Sequence, residues 1–462
     1  MRLHWHRRDL RVADNRGLSE LSEPPAGVFV FDENVLEHAG APRVAFMLDA
    51  LASLRAAYRE RGSDIFIRHG DPAEVLLDIA DEYDAELVSW NRDYSGLAQR
   101  RDELVAEELK EWDVLPQQFH DAICHEPGAI TTNQGDPYSV YTYFWKKWRD
   151  REKDDPYEVP ELAEASDDEP IPTLSDLGFE VPDASIPEGS TEVARGLLEE
   201  FLATDVFRYD DARDYPAEEA TSRLSPHLKF GTIGIREVDA AVREALAGAD
   251  DEAADSVAEF RSQLAWREFY THVLYFNPSV VTENYKEYDA EIEWEDDENL
   301  LAAWKAGKTG YPIVDAGMRQ LREEAYMHNR VRMIVASFLT KDLLVDWRHG
   351  YDHFRAQLVD HDTANDNGGW QWAASTGTDA QPYFRIFNPM TQGERYDPDA
   401  TYIKEYVPEL RDVAPGTIHS WHELSAAERD AAAPDYPAPV VYHSQRREEA
   451  LAMFERARGD TE

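Results

Sequence analysis

Cysteine is almost absent from this sequence of 462 residues, which contains only Cys124. A single cysteine excludes a disulfide framework, a cysteine-rich zinc site and an iron–sulfur cluster. Long apolar runs are also missing, since no stretch approaches the roughly 18 residues that a membrane-spanning helix needs. The first ten residues lack the apolar core of a signal peptide. We therefore expect a soluble, cytoplasmic protein with no membrane partner.

Lysine is scarce and acidic residues are abundant. Lysine provides 10 of the 47 cationic residues, and 93 acidic residues bring the formal net charge to −46. At low salt, such an acidic surface repels itself and any polyanion. In about 1 M salt the Debye length falls to about 3 Å, so this repulsion is screened. We interpret the composition as adaptation to a salt-loaded cytoplasm, and taken alone it argues against nucleic acid as a partner.

The pattern of apolar residues predicts two domains of different class. Near the N-terminus, apolar runs at 3–5, 28–31, 65–67 and 87–90 alternate with helical stretches at 43–61 and 72–83. This alternation indicates a parallel sheet covered by helices, although the G-x-G-x-x-G dinucleotide fingerprint is absent. We predict a Rossmann-like α/β domain at 1–130, an acidic, proline-rich interdomain linker at 131–190, and an all-α domain at 191–462.

Hydroxyl side chains cluster before a predicted helix in the second domain. The Ser225–Pro226 pair favours a helix start with Ser225 as N-cap and Pro226 in the first turn. Thr221, Ser222 and Arg223 would then join Ser225 at the positive end of that helix, where a phosphate or pyrophosphate binds. The alternative is a capped helix without a ligand.

A local excess of positive charge follows at 305–350, where eight cations face five acidic residues. Within it, His328, Arg332 and Val335 fall on one face of a predicted helix, next to Met333. Both a phosphate-contacting surface and an ordinary solvated face fit this pattern.

The stretch 358–389 is rich in carboxylate and amide acceptors. Neither Asp360 nor Asp362 as first ligand gives the spacing of a calcium loop, so we predict no metal site. Acceptors without a metal pattern suit the N–H and O–H donors of an organic ligand, or an Asp–Arg pair. The glycines at 368–369 would let the backbone approach something flat, and Trp370 and Trp372 are expected side by side on that face.

Several long motifs closely resemble the photolyase/cryptochrome family. They are HWHRRDLRVADNRGL, TSRLSPHLKFG, WREFY, TGYPIVDAGMRQL, MHNRVRM and NGGWQWAASTGTDAQPYFRIFNPMTQGERYDP. The resemblance covers nearly the whole chain apart from the linker, and it is strongest to haloarchaeal class I cyclobutane pyrimidine dimer photolyases. It implies a monomeric enzyme that uses light to repair UV-damaged DNA, double- or single-stranded. An α/β domain would carry an antenna chromophore, and a helical domain would hold one FAD.

The resemblance also implies roles for individual residues, and an Arg332–Asp360 ion pair beside the flavin is expected to be partly buried. Excited, reduced FAD would pass an electron to a flipped-out dimer and recover it after the ring splits. The implied FAD-binding residues are Tyr209, Thr221, Ser222, Arg223, Leu224, Ser225, Arg267, Asn329, Arg332, Asp360, Asp362 and Asp366. The implied substrate residues are Gln263, Trp266, Asn329, Arg330, Met333 and Trp372, with the two tryptophans stacking on the dimer and Arg330 contacting DNA phosphate.

Trp370, Trp347 and Trp294 match the family's tryptophan triad, which photoreduces the flavin from the inside outwards. Taken singly, each of these tryptophans would be read as a core residue. Their role in electron transfer is therefore implied by the resemblance alone.

Two positions depart from the bacterial pattern. Asp366 stands where bacterial relatives have Asn beside flavin N5, as in plant cryptochromes, and it could donate a proton or disfavour an anionic flavin. Gln263 replaces a Glu and is what (6-4) photolyases carry, although its amide still offers a donor and an acceptor. The Asn329/Met333 pairing is that of cyclobutane dimer photolyases. A cryptochrome-like photoreceptor and a (6-4) photolyase stay open as alternatives.

The antenna chromophore expected from the resemblance is 8-hydroxy-5-deazaflavin. Arg43, Asp93 and Lys229 match positions that deazaflavin-binding relatives use. Ala98 stands where folate-binding relatives have Glu, so methenyltetrahydrofolate is the less favoured choice. The alternative is that Arg43 and Asp93 are ordinary surface charges.

Overall fold

The N-terminal part is built on a five-stranded parallel sheet, seen in a computed structural model that describes residues 1–459. The strand order is β3-β2-β1-β4-β5. The strands are β1 (Arg2–His6), β2 (Pro25–Phe31), β3 (Ile65–His69), β4 (Leu87–Asn91) and β5 (Leu115–Phe119). The four predicted strands and their parallel arrangement are confirmed. The sequence analysis missed β5, a partly exposed edge strand without an apolar run.

Helices cover this sheet as the alternating pattern predicts. Their starts follow local rules: Asp71 accepts a hydrogen bond from the amide of Ala73, and Pro72 occupies the first turn. Because the sheet is covered, every residue of β2 is buried. The helices are α1 (Arg16–Ser19), α2 (Glu33–Leu36), α3 (Ala41–Arg59), α4 (Pro72–Glu82) and α5 (Gly96–Glu111).

The remainder of the chain is helical, as predicted for the C-terminal domain. A π-helical turn (Phe338–Asp342) follows α14, and short 3-10 turns lie at Asp205–Arg208, Pro216–Glu218, Pro278–Val281, Pro408–Leu410 and Trp421–Glu423. The helices are α6 (Tyr141–Asp150), α7 (Thr191–Ala203), α8 (Tyr209–Ala212), α9 (Ser225–Phe230), α10 (Ile235–Gly248), α11 (Asp251–Phe276), α12 (Glu298–Lys305), α13 (Pro312–Glu324), α14 (Asn329–Ser337), α15 (Trp347–Gln357), α16 (Thr363–Ala374), α17 (Pro389–Tyr396), α18 (Thr401–Tyr406), α19 (Pro415–His419), α20 (Ala426–Ala432) and α21 (His443–Ala457).

Helix α6 lies inside the stretch 131–190 that was predicted as linker. Its residues Tyr141, Phe144 and Trp148 are buried in a core shared with α7, α10 and α11. Between 151 and 190, a stretch that the structure describes in full, there is neither helix nor strand. Asp167 holds this stretch against the sheet by accepting from the amide of Ile67 at 2.9 Å. The irregular connection is therefore shorter than predicted.

The α/β part and the helical part share one core. Leu10 and Phe46 from the first part pack with Phe230 and Val359 from the second. This contact lets residues from both parts line a common site. Among residues 1–459, no helix is long and apolar enough to cross a membrane.

Candidate functional site

A partly buried ion pair, which the family resemblance implies, forms the centre of the candidate site. From α14, Arg332 donates through Nη2 to both carboxylate oxygens of Asp360, at 3.0 and 2.8 Å. Ser225 Oγ donates to the same carboxylate at 2.6 Å. Burial disfavours the charge of Arg332, but Asp360 and Asp366 outweigh it and raise the pKa of the guanidinium. Arg332 therefore stays positively charged, and the Asp360 carboxylate balances that charge within the cluster.

Ser225 reaches Asp360 because it does not cap its helix. Helix α9 begins at Ser225, and the residue at the N-cap position is Leu224, without a side-chain cap. The predicted N-cap role of Ser225 is therefore wrong. Before it, Arg223 has a positive φ of 52° and pairs with Glu324 at 3.1 Å. The predicted neighbours Thr221 and Ser222 are half-buried beside it, and Tyr209 is buried.

Asp362 caps α16 and connects it to the α/β part. Its side chain accepts from the amides of Ala364 and Asn365, both at 3.1 Å. Arg8 pairs with Asp362 at 2.7 Å and with Asp93 at 3.1 Å. Sequence reasoning missed Arg8, although it lies within the quoted motif HWHRRDLR. Burial opposes the charge of Asp362, but Arg8 overcomes this and lowers the pKa of the carboxyl.

The two glycines of α16 have different surroundings. A Cβ on Gly368 would lie 2.2 Å from the ring of Tyr270, so the flat group at this glycine belongs to the protein itself. A Cβ on Gly369 would meet no atom within 4 Å. Asp362, Asp366 and Gly369 are spaced by four and three residues, so they share one face of α16. The face is open at Gly369, and the Asp362 and Asp366 side chains on it are 13% and 10% exposed.

These observations test whether the chain fits FAD. An open helix face with two carboxylates can accept hydrogen bonds from the ring nitrogens of a flat ligand. Arg332, together with Arg267 on α11, supplies positive charge for an anionic flavin and its phosphates. Arg267 donates to the carbonyls of Ala122 at 2.6 Å and Leu228 at 3.1 Å, which fixes its side chain. The donor and acceptor set therefore fits FAD.

Asp366 has a partner that the sequence analysis did not identify. His361 Nδ1 lies 2.6 Å from Asp366 Oδ2. Arg332 Nη1 lies 3.7 Å from the other oxygen of the same carboxyl. Only the placement of α16 after a tight turn brings residues 361 and 366 together, so composition gave no signal for the pair.

Trp266, implied as a wall of the dimer pocket, rests on an aromatic platform. Its ring stacks on Tyr141 with centroids 3.7 Å apart and an interplanar angle of 11°. Tyr141 OH donates to the Ser262 carbonyl at 2.6 Å. Gln263 on the same helix donates to Glu259 Oε1 at 2.8 Å. Both Trp266 and Gln263 stay partly accessible.

The other substrate residues implied by the resemblance lie on α14 and α16. Asn329 begins α14, is exposed, and its amide lies 3.8 Å from Met333 Sδ one turn later. Trp372 is partly buried and packs near Phe387, with centroids 6.4 Å apart. The expectation that Trp372 and Trp370 lie side by side is wrong, because residues two apart on a helix point in different directions.

Five of the eight cations in the basic stretch 305–350 are paired or buried, whereas Lys305, Lys308 and Arg322 are exposed. Arg330 pairs with Asp214 at 2.6 Å and lies 4.4 Å over the ring of Tyr396. The phosphate-contacting interpretation of the whole stretch is therefore not supported by its side chains. The other engaged cations are Arg319 with Glu409, Arg332 with Asp360, Arg348 with Asp346, and Lys341, which is buried. His328 caps α14, so it does not lie on the predicted helical face with Arg332 and Val335.

The three tryptophans of the implied triad differ in burial in the expected direction. Trp370 and Trp347 are 2% and 0% exposed, and Trp294 is only partly buried. Trp347 donates through its indole N–H to Asn284 at 2.9 Å. A Cβ on Gly350 would lie 2.1 Å from the Trp370 ring, so the two elements pack closely there. Burial thus decreases from Trp370 and Trp347 towards Trp294.

The residues implied for the antenna are not ordinary surface charges. Arg43, Asp93 and Lys229 are all half-buried. Burial opposes the charge of Asp93, but Arg8 and Lys229 hold its pKa at about 2. Burial and, secondly, Arg8 lower the pKa of Lys229 to about 8. Burial also lowers the pKa of Arg43, to about 10.

One cluster of potential metal ligands lies apart from this site. Ligand atoms of His4, His6 and Asp9 come within 4.8 Å of one another in the described chain. His4 forms hydrogen bonds through Nδ1 with Ser89 at 2.9 Å and through Nε2 with Asp9 at 3.0 Å. His6 Nε2 forms one with Tyr58 at 2.8 Å. These hydrogen bonds already occupy the nitrogens that a metal would need.

Comparisons with known proteins agree with this geometry. Two family models match, "DNA photolyase" over residues 2–163 and "FAD binding domain of DNA photolyase" over 260–456. The chain is 64% identical to a deoxyribodipyrimidine photo-lyase of Halobacterium salinarum, covering 100% of both chains. It is 42% identical to the enzyme of the same name from a Synechococcus species, covering 98% of this chain and 96% of that one.

Solved structures give the same picture. A bacterial class III photolyase from Agrobacterium tumefaciens matches with a TM-score of 0.90 and 34% identity, covering 100% of this chain and 98% of that one. An archaeal photolyase from Sulfolobus tokodaii, which holds two FAD molecules, matches with a TM-score of 0.86 and 34% identity, covering 98% and 99%. A Synechocystis cryptochrome shares the fold with a TM-score of 0.89 at 24% identity, covering 98% of each chain.

Proposed function

The chain belongs to the DNA photolyase family, and on that premise we propose that it is a deoxyribodipyrimidine photo-lyase, which uses light to split cyclobutane pyrimidine dimers in DNA. The observation that carries this proposal is the Arg332–Asp360–Ser225 cluster beside the open face of α16. The similarity to the Halobacterium enzyme over both full chains supports it further.

The chain's own residues would bind and orient FAD. Reduced FAD bound by these residues would supply light-driven one-electron chemistry, in which the electron lent to the dimer returns once the two carbon–carbon bonds of the cyclobutane ring have broken. Arg332 would hold positive charge near the flavin, fixed by Asp360. Asp362 and Asp366 would accept from ring N–H groups, and the hydroxyls of Thr221 and Ser222 would face the pyrophosphate. The side chains of Tyr209, Arg223, Leu224, Ser225, Arg267 and Asn329 would complete this lining.

The dimer would leave the DNA stack and enter a pocket walled by tryptophans. Extrusion costs a few kcal/mol, less for a damaged pair that is already poorly stacked. Stacking on an aromatic side chain returns about 1–3 kcal/mol for each base. The stacking of Tyr141 on one face of the Trp266 ring, which holds that ring in place, supports this role. Trp372 would form the opposite wall, with Gln263, Asn329 and Met333 at the edges of the bases.

Electrons for reducing the flavin would come through Trp370, Trp347 and Trp294. The decrease in burial towards Trp294 supports this direction, because the last member must exchange electrons with solvent. Trp370 lies on α16, the helix that carries Asp362 and Asp366. The proposed first member of the chain would thus lie on the same helix as two of the residues proposed to bind the flavin.

The antenna that we propose is 8-hydroxy-5-deazaflavin, held by Arg43, Asp93 and Lys229. The partial burial of these three charged side chains supports a role in binding the antenna. Methenyltetrahydrofolate and a second FAD, as in the Sulfolobus tokodaii relative, are the alternatives. Chromophores released from the purified protein would distinguish the three by absorption and mass. We further propose that the protein acts as a monomer on chromosomal DNA in the cytoplasm. Light scattering tests the monomeric state.

A cryptochrome-like photoreceptor is the second candidate, and Asp366 is the observation that favours it. A (6-4) photolyase is the third, favoured by Gln263. The Asn329/Met333 contact on α14 favours the cyclobutane dimer instead. Repair of the two lesions separates these candidates.

The test is repair of a thymine-dimer oligonucleotide in molar KCl, under blue light and in the dark, with a (6-4) oligonucleotide alongside. We expect loss of the cyclobutane dimer only in the light. Trp266→Ala should weaken lesion binding about 5- to 100-fold, as loss of one stacking wall predicts. Trp112→Ala, at an exposed tryptophan after α5, is the matched control. Photoreducible FAD without repair of either lesion would refute the enzyme and favour the photoreceptor.

A further inference from the structure

His361 forms a buried pair with Asp366, and the proposed photolyase site leaves His361 itself without a role. The side chain of His361 is 2% exposed and that of Asp366 is 10% exposed. Their contact, from Nδ1 to Oδ2, is 2.6 Å. An ionised Asp366 can only accept, so in that state the ring N–H at Nδ1 donates and His361 carries its proton on Nδ1. The edge of the His361 ring also meets Tyr351, with centroids 5.4 Å apart.

Charged groups surround the pair from several helices. Burial lowers the pKa of His361 most strongly, and Arg43 and Lys229 lower it further, whereas Asp366 offsets these effects only in part. The imidazole is therefore neutral at neutral pH, so the pair brings a donor rather than a second cation. The charged and titratable groups that face the pair are Arg43 on α3, Lys229 on α9, Arg332 on α14 and Tyr351 on α15.

The location of Asp366 gives this pair its interest. Asp366 lies on the open face of α16, one turn before Gly369, and it matches the position beside flavin N5 in bacterial relatives. A carboxyl at such a place can either donate a proton or accept a hydrogen bond. Hydrogen bonds to the charged form of a carboxyl favour that form. His361 makes such a bond to Oδ2, and Arg332 is close to Oδ1.

We propose that His361 is a positioning residue that holds Asp366 as a hydrogen-bond acceptor facing the flavin, so that the carboxyl receives a ring N–H instead of giving up a proton. The inference rests on the proposed function for the presence of a flavin on this face. It gives Asp366, which departs from the bacterial pattern, a hydrogen-bonding partner five positions earlier in the chain. The pair places a carboxyl, bonded to an imidazole, where bacterial relatives have a neutral amide.

The first test measures the pair itself and needs no turnover. In protein labelled with nitrogen-15 at histidine, NMR gives the tautomer and the titration of His361, assigned by comparison with His361→Phe. We expect a proton on Nδ1, and we expect Asp366→Asn to lower the proton affinity of the ring about tenfold or more. A proton on Nε2, or a titration that Asp366→Asn leaves unchanged, would overturn the proposal.

The second test measures the reduction potential of bound FAD in a double-mutant cycle of His361→Phe and Asp366→Asn. We expect His361→Phe to make the potential depend more steeply on pH and to change it by about 30 mV or more, which is a tenfold change for a two-electron couple. The double variant should match Asp366→Asn alone. His353→Phe, at another partly buried histidine on α15, is the control, and His361→Gln, which retains an N–H donor, should restore part of the effect.

The outcomes separate this inference from the proposed function. An unchanged potential in His361→Phe, or effects of the two substitutions that simply add, would overturn the role of His361. That result would leave lesion repair untouched. Conversely, the expected cycle in a protein that repairs no lesion would support the role of His361 and refute the photo-lyase activity.

Discussion

Glu268 provides a quantitative test of how the two parts of the molecule are joined. It lies on α11, is 1% exposed, and accepts from the backbone amides of Cys124 at 2.7 Å and His125 at 3.0 Å. These two residues belong to the loop after β5. Burial raises the pKa of Glu268 to about 7, and the two amide donors oppose this only in part. His272 is 3.8 Å away but is itself held neutral, because burial lowers its pKa to about 4.

The magnitude follows from linkage between protonation and folding. The pKa of Glu268 moves from 4.5 in the unfolded chain to about 7 in the folded one. At about 1.4 kcal/mol for each pH unit, burying the charged form costs about 3 kcal/mol relative to the acid. Because the folded pKa is raised, this contribution to stability is complete below pH 4.5 and is lost as pH rises through 7. Buried neutral histidines have the opposite sign, as for His227, whose pKa burial lowers to about 4.

The assay is thermal unfolding of wild type and Glu268→Gln between pH 5 and 8 in molar KCl. The amide resembles the neutral acid, so the difference in unfolding free energy between wild type and variant should change by about 3 kcal/mol across this range. We expect the variant to gain stability relative to wild type as pH rises. Comparing the two proteins at each pH removes the contribution of the histidines to the unfolding free energy, because both proteins contain the same histidines. Glu252→Gln, on an exposed turn of the same helix, is the control.

A constant difference between wild type and Glu268→Gln from pH 5 to 8 would refute the reasoning. It would mean that the carboxyl is ionised throughout and that the two amide donors outweigh burial. A change of the same size in Glu252→Gln would show that the pH effect comes from the global charge instead.

Two further predictions concern DNA affinity and the tryptophan chain. Asp214→Asn releases Arg330 from its 2.6 Å pair, so we expect tighter binding of lesion DNA and a slope of log K against log salt that is steeper by about 0.7–0.9. Arg330→Ala should weaken binding. Equal slopes in Asp214→Asn and wild type would contradict the assignment of Arg330 to DNA phosphate. Gly350→Ala places a methyl group 2.1 Å from the Trp370 ring, so we expect about 1–3 kcal/mol of destabilisation and slower flavin photoreduction, read by melting and by flavin absorbance under light. Gly416→Ala, where a Cβ meets nothing within 4 Å, is its control.

Local patterns were enough to predict most of the sheet, and the family resemblance implied the centre of the site. Strands such as β2 are apolar over their whole length because helices cover both faces, and this leaves a direct trace in sequence. The Arg332–Asp360 pair was expected from motifs and is present in the structure. The edge strand β5 left no such trace, since only its last residue, Phe119, is buried.

Contacts between distant residues were beyond the sequence. Arg8 and Asp362 are 354 positions apart, and Arg330 and Asp214 are 116 positions apart. Which carboxylate meets which guanidinium depends on how the helices pack, and a chain with 93 acidic residues offers many candidates. Counting charges along the chain left both interpretations of the basic stretch open for this reason, because such a count ignores partners that arrive from elsewhere.

The pairing of Arg330 also bears on how so acidic a protein could bind DNA in concentrated salt. Salt weakens phosphate contacts through counterion release but leaves stacking on Trp266 and the shape of the pocket largely unaffected. With Arg330 already bound to Asp214, a phosphate must displace a carboxylate and gains less. We therefore expect a shallower slope of log K against log salt for lesion DNA than the Synechococcus relative shows in the same buffers. Equal slopes for the two proteins would mean that this protein makes as many phosphate contacts as the Synechococcus relative.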